Sequence, residues 1–138
     1  MAGVPMSKYA EVALRATSLL RDGACGSPPE AWRVAARELM PGKPDAQAKA
    51  CPKGTYLGLC EKGLVAGIPA GVYDAGEDNK GYAIDAVRLL IRDPSLADAG
   101  PKALWARVMN GRDKMPNGQM EVVLALWCSG LIDRSRRP

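Results

Sequence analysis

The segment that begins at Tyr9 is repeated from Tyr82, and this repetition constrains the fold more than any other feature of the chain. Tyr9, Ala10, Ala13, Arg15, Pro28 and Trp32 recur as Tyr82, Ala83, Ala86, Arg88, Pro101 and Trp105, all at one offset of 73. Further on, LGLCEKGLV (57–65) recurs as LALWCSGLI (124–132) at an offset of 67, so the first copy carries six extra residues around GKPDAQAKACPKG. Coincident Ala and Leu are common in any chain, whereas Tyr, Pro, Trp and Gly at fixed offsets are not. The reading is an internal duplication, in which each copy is one unit that buries its apolar face against its neighbour.

Each copy reads as three helices. Ala10, Ala13, Leu14, Thr17 and Leu20 share one helical face, with Ser7 as N-cap and Asp22-Gly23 as the stop. SPPEAW opens a second helix: Ser27 caps it, proline suits its first turn, and Glu30 completes a capping box before the stop at Pro41-Gly42. A third starts near Cys51-Pro52 and ends at Gly63. In the second copy Ala83, Ala86, Val87, Leu90 and Ile91 form the first stripe, ending before Asp93-Pro94. Gly100-Pro101 opens a helix carrying Leu104, Trp105, Val108 and Met109. QMEVVLALWCSGLI follows, apolar on nearly every side and so expected at the centre. The pattern predicts an all-α fold: two tandem three-helix repeats in one compact domain over 1–138, packed through their third helices about a pseudo-twofold axis. Repeat one spans 7–68, repeat two 81–133. An exposed acidic, Gly-rich linker fills 69–80, with a short extended piece at Val72-Tyr73, and a basic tail covers 134–138. The matched indole and tyrosine rings are expected in a shared interior. The leader MAGVP reads as an unstructured extension ahead of a second start at Met6.

Composition narrows the chemistry. The chain has no histidine, which removes the usual general base and the commonest transition-metal ligand. Hydrolysis by a Ser-His or Cys-His pair is excluded. Cys25, Cys51, Cys60 and Cys128 lack C-x-x-C spacing and make a poor zinc set without histidine, so no metal and no cofactor is expected. No apolar run is long enough for a signal peptide or a membrane span, and a reducing cytoplasm with free thiols is the expectation. The formal net charge is +4. Arg134, Arg136 and Arg137 against Asp133 account for half of it, so the body is close to neutral and global charge argues little for nucleic acid.

Two candidate sites emerge. The first is Cys51 with Lys53 and Gly54. A cysteine capping a helix before proline faces free backbone N–H groups, whose partial positive charge favours thiolate, and Lys53 adds to it. Gly54 lets a ligand or another backbone approach closely, and the same helix start could bind a phosphate or carboxylate. Against this, cysteine is among the most buried residue types and no histidine can serve as partner base. Cys60 aligns with Trp127, which argues for the core. The second candidate is the matched pair Arg15 and Arg88, which could grip an anion between the repeats or simply flank two amphipathic helices. Trp32 and Trp105 read as the large anchors of their own units rather than the walls of a cleft. The carboxylates form no catalytic dyad, and the glycines follow neither the P-loop nor the dinucleotide-binding order.

CPKGTYLGLCEKGLVAGIPAG together with MEVVLALWCSGLI resembles an uncharacterised family of small bacterial proteins, from about Ser7 to Ile132. The resemblance implies a family label and no mechanism. LCEKGLV and LWCSGLI are also similar to the closing turn of winged helix-turn-helix modules, where a helix ending in Gly-Leu-Ile precedes a β-hairpin wing and a basic helix enters the major groove. Here the helix at 118–132 has no Lys or Arg, and that at 52–65 has only Lys53 and Lys62. The sequence therefore points first to a non-catalytic binding protein whose partner is another protein. A nucleic-acid-binding protein with winged-helix-like repeats comes second, and a thiol-dependent enzyme using Cys51 third.

Overall fold

The computed structural model describes residues 7–136 and 138. The leader MAGVP, Met6 and Arg137 lie outside the described residues. Helix α1 (Lys8–Arg21) starts where Ser7 Oγ accepts from the Ala10 amide at 3.1 Å. Helix α2 (Pro28–Leu39) starts with Ser27 accepting from the Glu30 amide, while the Glu30 carboxylate reaches back to the Gly26 amide at 2.8 Å. The first bond satisfies one of the N–H groups every helix start leaves open, and the second fastens the incoming chain at Gly26. A short helix α3 (Pro44–Gln47) follows, then α4 (Ala50–Glu61), α5 (Glu77–Arg92), a 3₁₀ turn (Pro94–Ala99), α6 (Pro101–Met109) and α7 (Gln119–Cys128). The described residues are all-helical, with one isolated β-bridge between Val65 and Ile132.

Both central helices stop in the same way. Gly63 and Gly130 adopt φ of +70° and +73°. The next amide bonds back five residues, Leu64 to the Leu59 carbonyl at 3.0 Å and Leu131 to the Leu126 carbonyl at 2.8 Å. Only glycine takes this left-handed C′ position without strain, so these two glycines fix where the chain leaves the helix. The exits run antiparallel to each other. The Ala66 amide donates to the Leu131 carbonyl and the Asp133 amide to the Leu64 carbonyl, both at 2.8 Å.

The core lies between these exits. Helix α7 is buried from Gln119 to Trp127 except at Glu121, and α4 from Gly54 to Cys60. Helix α1 packs between α2 and α7, and α5 between α4 and α6. The approach of α4 to α5 is close enough to require glycine. A Cβ on Gly58 would lie 2.7 Å from the Lys80 Cα, and one on Gly54 3.2 Å from the Asn79 side chain.

Several details depart from the expectation. The six extra residues of the first copy coincide with α3, which is anchored by Tyr9 Oη donating to the Ala46 carbonyl at 3.1 Å and Gln47 Nε2 to the Met40 carbonyl at 2.8 Å. The segment expected as a linker to residue 80 ends sooner, because Glu77–Lys80 already form the first turn of α5, where acidic side chains face the positive end of the helix. Val72-Tyr73 is not a strand. The tryptophans are buried, Trp32 to 1% and Trp105 to 5% exposure, but Tyr9 and Tyr82 are half-buried. Their hydroxyl ends favour the boundary of the core, where a polar tip keeps its partners. Trp32 packs on Tyr56 and Trp105 on Tyr82, each with ring centroids 5.3 Å apart.

Candidate functional site

Cys51 is the second residue of α4, two positions inside the cap site expected for it, because the helix begins at Ala50 with Lys49 as N-cap. It is half-buried, and its carbonyl accepts from Thr55 Oγ1 at 2.9 Å. A cleft of about 330 Å³ beside it is lined by Lys53, Gly54, Asp74, Gly76 and Asn79, and Cys51 is not on its wall. Gly54 faces α5 rather than open space, so its missing side chain serves helix packing. The other cysteines are no better prepared. Burial pushes the Cys60 thiol up to about 12, despite a hydrogen bond from Tyr56 that works the other way. Cys128 is also raised, first by burial and then by Asp98, with Arg134 opposing. All four cysteines are unbridged. No group of three or more Cys, Asp or Glu side chains is arranged to hold a metal ion among the described residues.

Arg15 and Arg88 stand at matched places on α1 and α5 and do not meet at a common site. Arg15 is occupied by its own half: Nε donates to Glu38 Oε2 at 2.8 Å and Nη2 to Oε1 at 3.4 Å, a two-pronged contact from α1 to α2. That contact holds the Glu38 carboxyl below its usual range. Seventy-three residues on from Glu38 the chain has Gly111, so Arg88 lacks the counterpart acid. Arg88 instead donates from Nε to the Pro138 carbonyl at 3.0 Å and lies 3.6 Å from Asp85.

Arg88 belongs to a cluster that the sequence did not single out. Two adjoining clefts share Arg88 and Arg92. One, of about 490 Å³, adds Arg134 and Arg136, with Ile91 and Pro138 as its apolar surface. The other, of about 610 Å³, adds Arg107 and Arg112, with Asp85 as the acidic side chain on its wall. Six guanidinium groups thus border one continuous face. Two of them end helices: Arg92 lies in the last turn of α5 and Arg107 in the last turn of α6, where the helix dipole favours a cation. Arg112 closes α6 by donating to the Met109 and Val108 carbonyls at 2.9 and 2.8 Å. Arg134 sits over the Trp127 ring, its Cζ 3.7 Å from the centroid. The sequence signal was present as last-turn arginines and a basic tail, but only the fold brings 88–92, 107–112 and 134–136 together.

A second arrangement missed in the sequence is the hub at Glu61. Its Oε1 accepts from Lys80 Nζ at 2.8 Å, and its Oε2 accepts from the amides of Tyr73 at 2.8 Å and Ala75 at 3.2 Å. Burial works to raise the Glu61 pKa, but Lys80 and the two amides together outweigh it and hold the carboxyl below its ordinary value. One side chain thereby ties the segment between the halves to α4 and α5.

The winged-helix comparison finds little in this geometry. Helix α7 has no exposed face to offer a groove, and where a wing would follow, the chain forms the Val65–Ile132 bridge. No helix among the described residues is long and apolar enough to cross a membrane. Residues 6–133 match a protein family of unknown function (DUF6979), and the chain belongs to that family. No curated protein and no solved structure matches it.

Proposed function

We propose that this chain is a non-catalytic binding protein whose working face is the arginine-bordered surface of its second half, and that its partner is another protein presenting acidic side chains. The observation that carries this reading is the convergence of six arginines on two adjoining clefts. An acidic partner face would supply the carboxylates that planar guanidinium forks match in pairs. The main apolar alternative is a cleft of about 470 Å³ at Pro101, Trp105, Met115 and Pro116, which gathers no comparable set of charged groups. The position of Asp85 on the wall and the confinement of the face to one half both favour a shaped protein epitope over a phosphodiester track. Four unbridged cysteines support a reducing cytoplasm as the place of action.

The scaffold for this face is read as two helical trios, α1-α2-α4 and α5-α6-α7, related by a pseudo-twofold axis. Three observations support it. Val65 and Ile132, which pair with each other, are also each other's counterparts at the offset of 67. The two hydrogen bonds flanking that pair exchange roles under the same correspondence. And α1 packs on α7 as α5 packs on α4. Near-equivalent cores then carry different surfaces, and the half that lost the acid opposite its arginine is the half that binds.

The test is binding of poly-glutamate, followed by calorimetry at increasing salt. Affinity should fall as ionic strength rises and be lost in the triple variant Arg88→Gln/Arg92→Gln/Arg107→Gln, while Arg15→Gln binds as the parent does. No binding by the parent, or equal binding by the triple variant, removes the proposal. Tighter binding of a DNA duplex than of poly-glutamate turns it into a nucleic-acid reading.

A further inference from the structure

The cleft between α5 and Arg134, Arg136 and Pro138 differs from the rest of the arginine face. Arg88, Arg92, Arg134 and Arg136 line it, and no acidic side chain does. Two aspartates touch the set from outside at loose range, Asp85 at 3.6 Å from Arg88 and Asp133 at 3.9 Å from Arg136. The four guanidinium groups outnumber the two aspartate side chains that approach them. Its groups are also held in place. The Arg134 guanidinium carbon sits 3.7 Å from the Trp127 ring centroid, a cation–π contact that holds this group beside the cleft. Arg136 lies against Gly63, where a Cβ would come within 3.2 Å of its Cζ. The Nε of Arg88 is already occupied by the Pro138 carbonyl, so its terminal nitrogens remain for a ligand.

This arrangement distinguishes between anions. A carboxylate carries one charge on two oxygens and saturates one guanidinium fork. A phosphate monoester carries about −1.5 to −2 at neutral pH on three strong acceptor oxygens and can engage two or three forks at once. A phosphodiester carries a single charge per group, less than a monoester brings to the same four guanidinium groups. We infer that the cleft binds a phosphate monoester, carried on a phosphorylated serine or threonine side chain of the protein partner. The inference rests on the proposed protein-binding role of the face and assigns its most demanding contact.

The experiment measures calorimetric binding of three blocked tripeptides, Ala-phosphoserine-Ala, Ala-Glu-Ala and Ala-Ser-Ala, with inorganic phosphate and a ten-residue oligothymidylate as further arms. The phosphoserine peptide should bind at least about tenfold more tightly than the glutamate peptide, and Arg92→Gln/Arg134→Gln should remove that advantage, because each loses a charge-assisted fork. Arg107→Gln, outside this cleft, should leave the ratio unchanged. Equal affinity for the phosphoserine and glutamate peptides overturns the phosphate assignment while leaving the acidic-partner reading intact. Loss of poly-glutamate binding as well would sink both. Inorganic phosphate binding as tightly as the peptide overturns the peptide source in favour of a free anion, and tighter oligothymidylate overturns it in favour of a polynucleotide.

Discussion

Trp32 and Trp105 occupy corresponding places in the two halves, and their ring nitrogens meet opposite fates. Trp105 Nε1 donates to the Lys114 carbonyl at 2.8 Å, in a loop that also brings Arg112 and Lys114 over the Tyr82 ring. Trp32 Nε1 is buried with no hydrogen-bond partner among the described residues. The first half places its polar contacts elsewhere in the interior: Thr17 and Tyr56 hydroxyls lie 2.7 Å apart, and Thr17 Oγ1 also donates to the Ala13 carbonyl. Their counterparts in the second half are Leu90 and Val123, both buried and apolar. The first half thus buries a hydroxyl pair where residues 90 and 123 are apolar, while the second half buries Gln119, which donates to Asn79 Oδ1 at 3.3 Å. On the proposed two-repeat reading, backbone spacing is what the repeats share, while side-chain chemistry differs within it.

The sharpest break in this comparison is at Gly58, whose counterpart is Ala125. A side chain at 58 must enter the backbone of α5 at Lys80, and no flexible group stands there to give way. Gly58→Val should destabilise the fold by about 3 kcal/mol, read by denaturant midpoint, even though glycine is itself a poor helix former. Ala125→Gly should cost only about 1 kcal/mol, the helix-propensity difference. Equal losses at the two positions would mean that the close approach of α4 to α5 is not maintained in solution.

Much of the helical scaffold was legible because its signals are local. Ser7, Ser27, Glu30 and the glycines at 63 and 130 act within a few residues of themselves, and they place helix boundaries within one or two residues. The apolar encirclement of α7 likewise announced its burial. The clustered arginines were not legible, since their meeting depends on how α5, α6 and residues 133–138 pack, and no local pattern encodes that. Cys51 attracted notice through Pro52, but proline fits any position in the first turn. The helix in fact begins two residues before Pro52, at Ala50. Glu61 looked like one more surface charge, because its partners at Tyr73, Ala75 and Lys80 come from a segment whose course the sequence left open.

The hydroxyl pair offers a second way to sharpen the contrast. Thr17→Val leaves Tyr56 Oη buried without its closest partner and should cost about 2 kcal/mol. Adding Tyr56→Phe should recover most of that loss, since removing both polar groups makes this interior resemble the Leu90–Val123 side. A double variant as unstable as Thr17→Val alone would show that packing volume, rather than the paired hydroxyls, distinguishes the halves.

The smallest effect is expected at Glu61, whose counterpart is the exposed Cys128. Glu61 has only 9% of its side chain exposed and anchors the inter-half segment, so Glu61→Gln should cost about 1 kcal/mol at neutral pH, where Cys128→Ser stays within about 0.5 kcal/mol. Acid titration separates the charge from the shape. A carboxyl held below its unfolded value stabilises the fold fully above that value, near 4.5, and the contribution is lost as pH falls through the lower folded value. The parent should therefore lose stability below about pH 4.5 more steeply than Glu61→Gln, and the two curves should converge in acid. Parallel curves would mean that Lys80 and the Tyr73 and Ala75 amides hold the glutamine as well as the carboxylate. The segment between the halves would then be fastened by hydrogen-bond geometry alone.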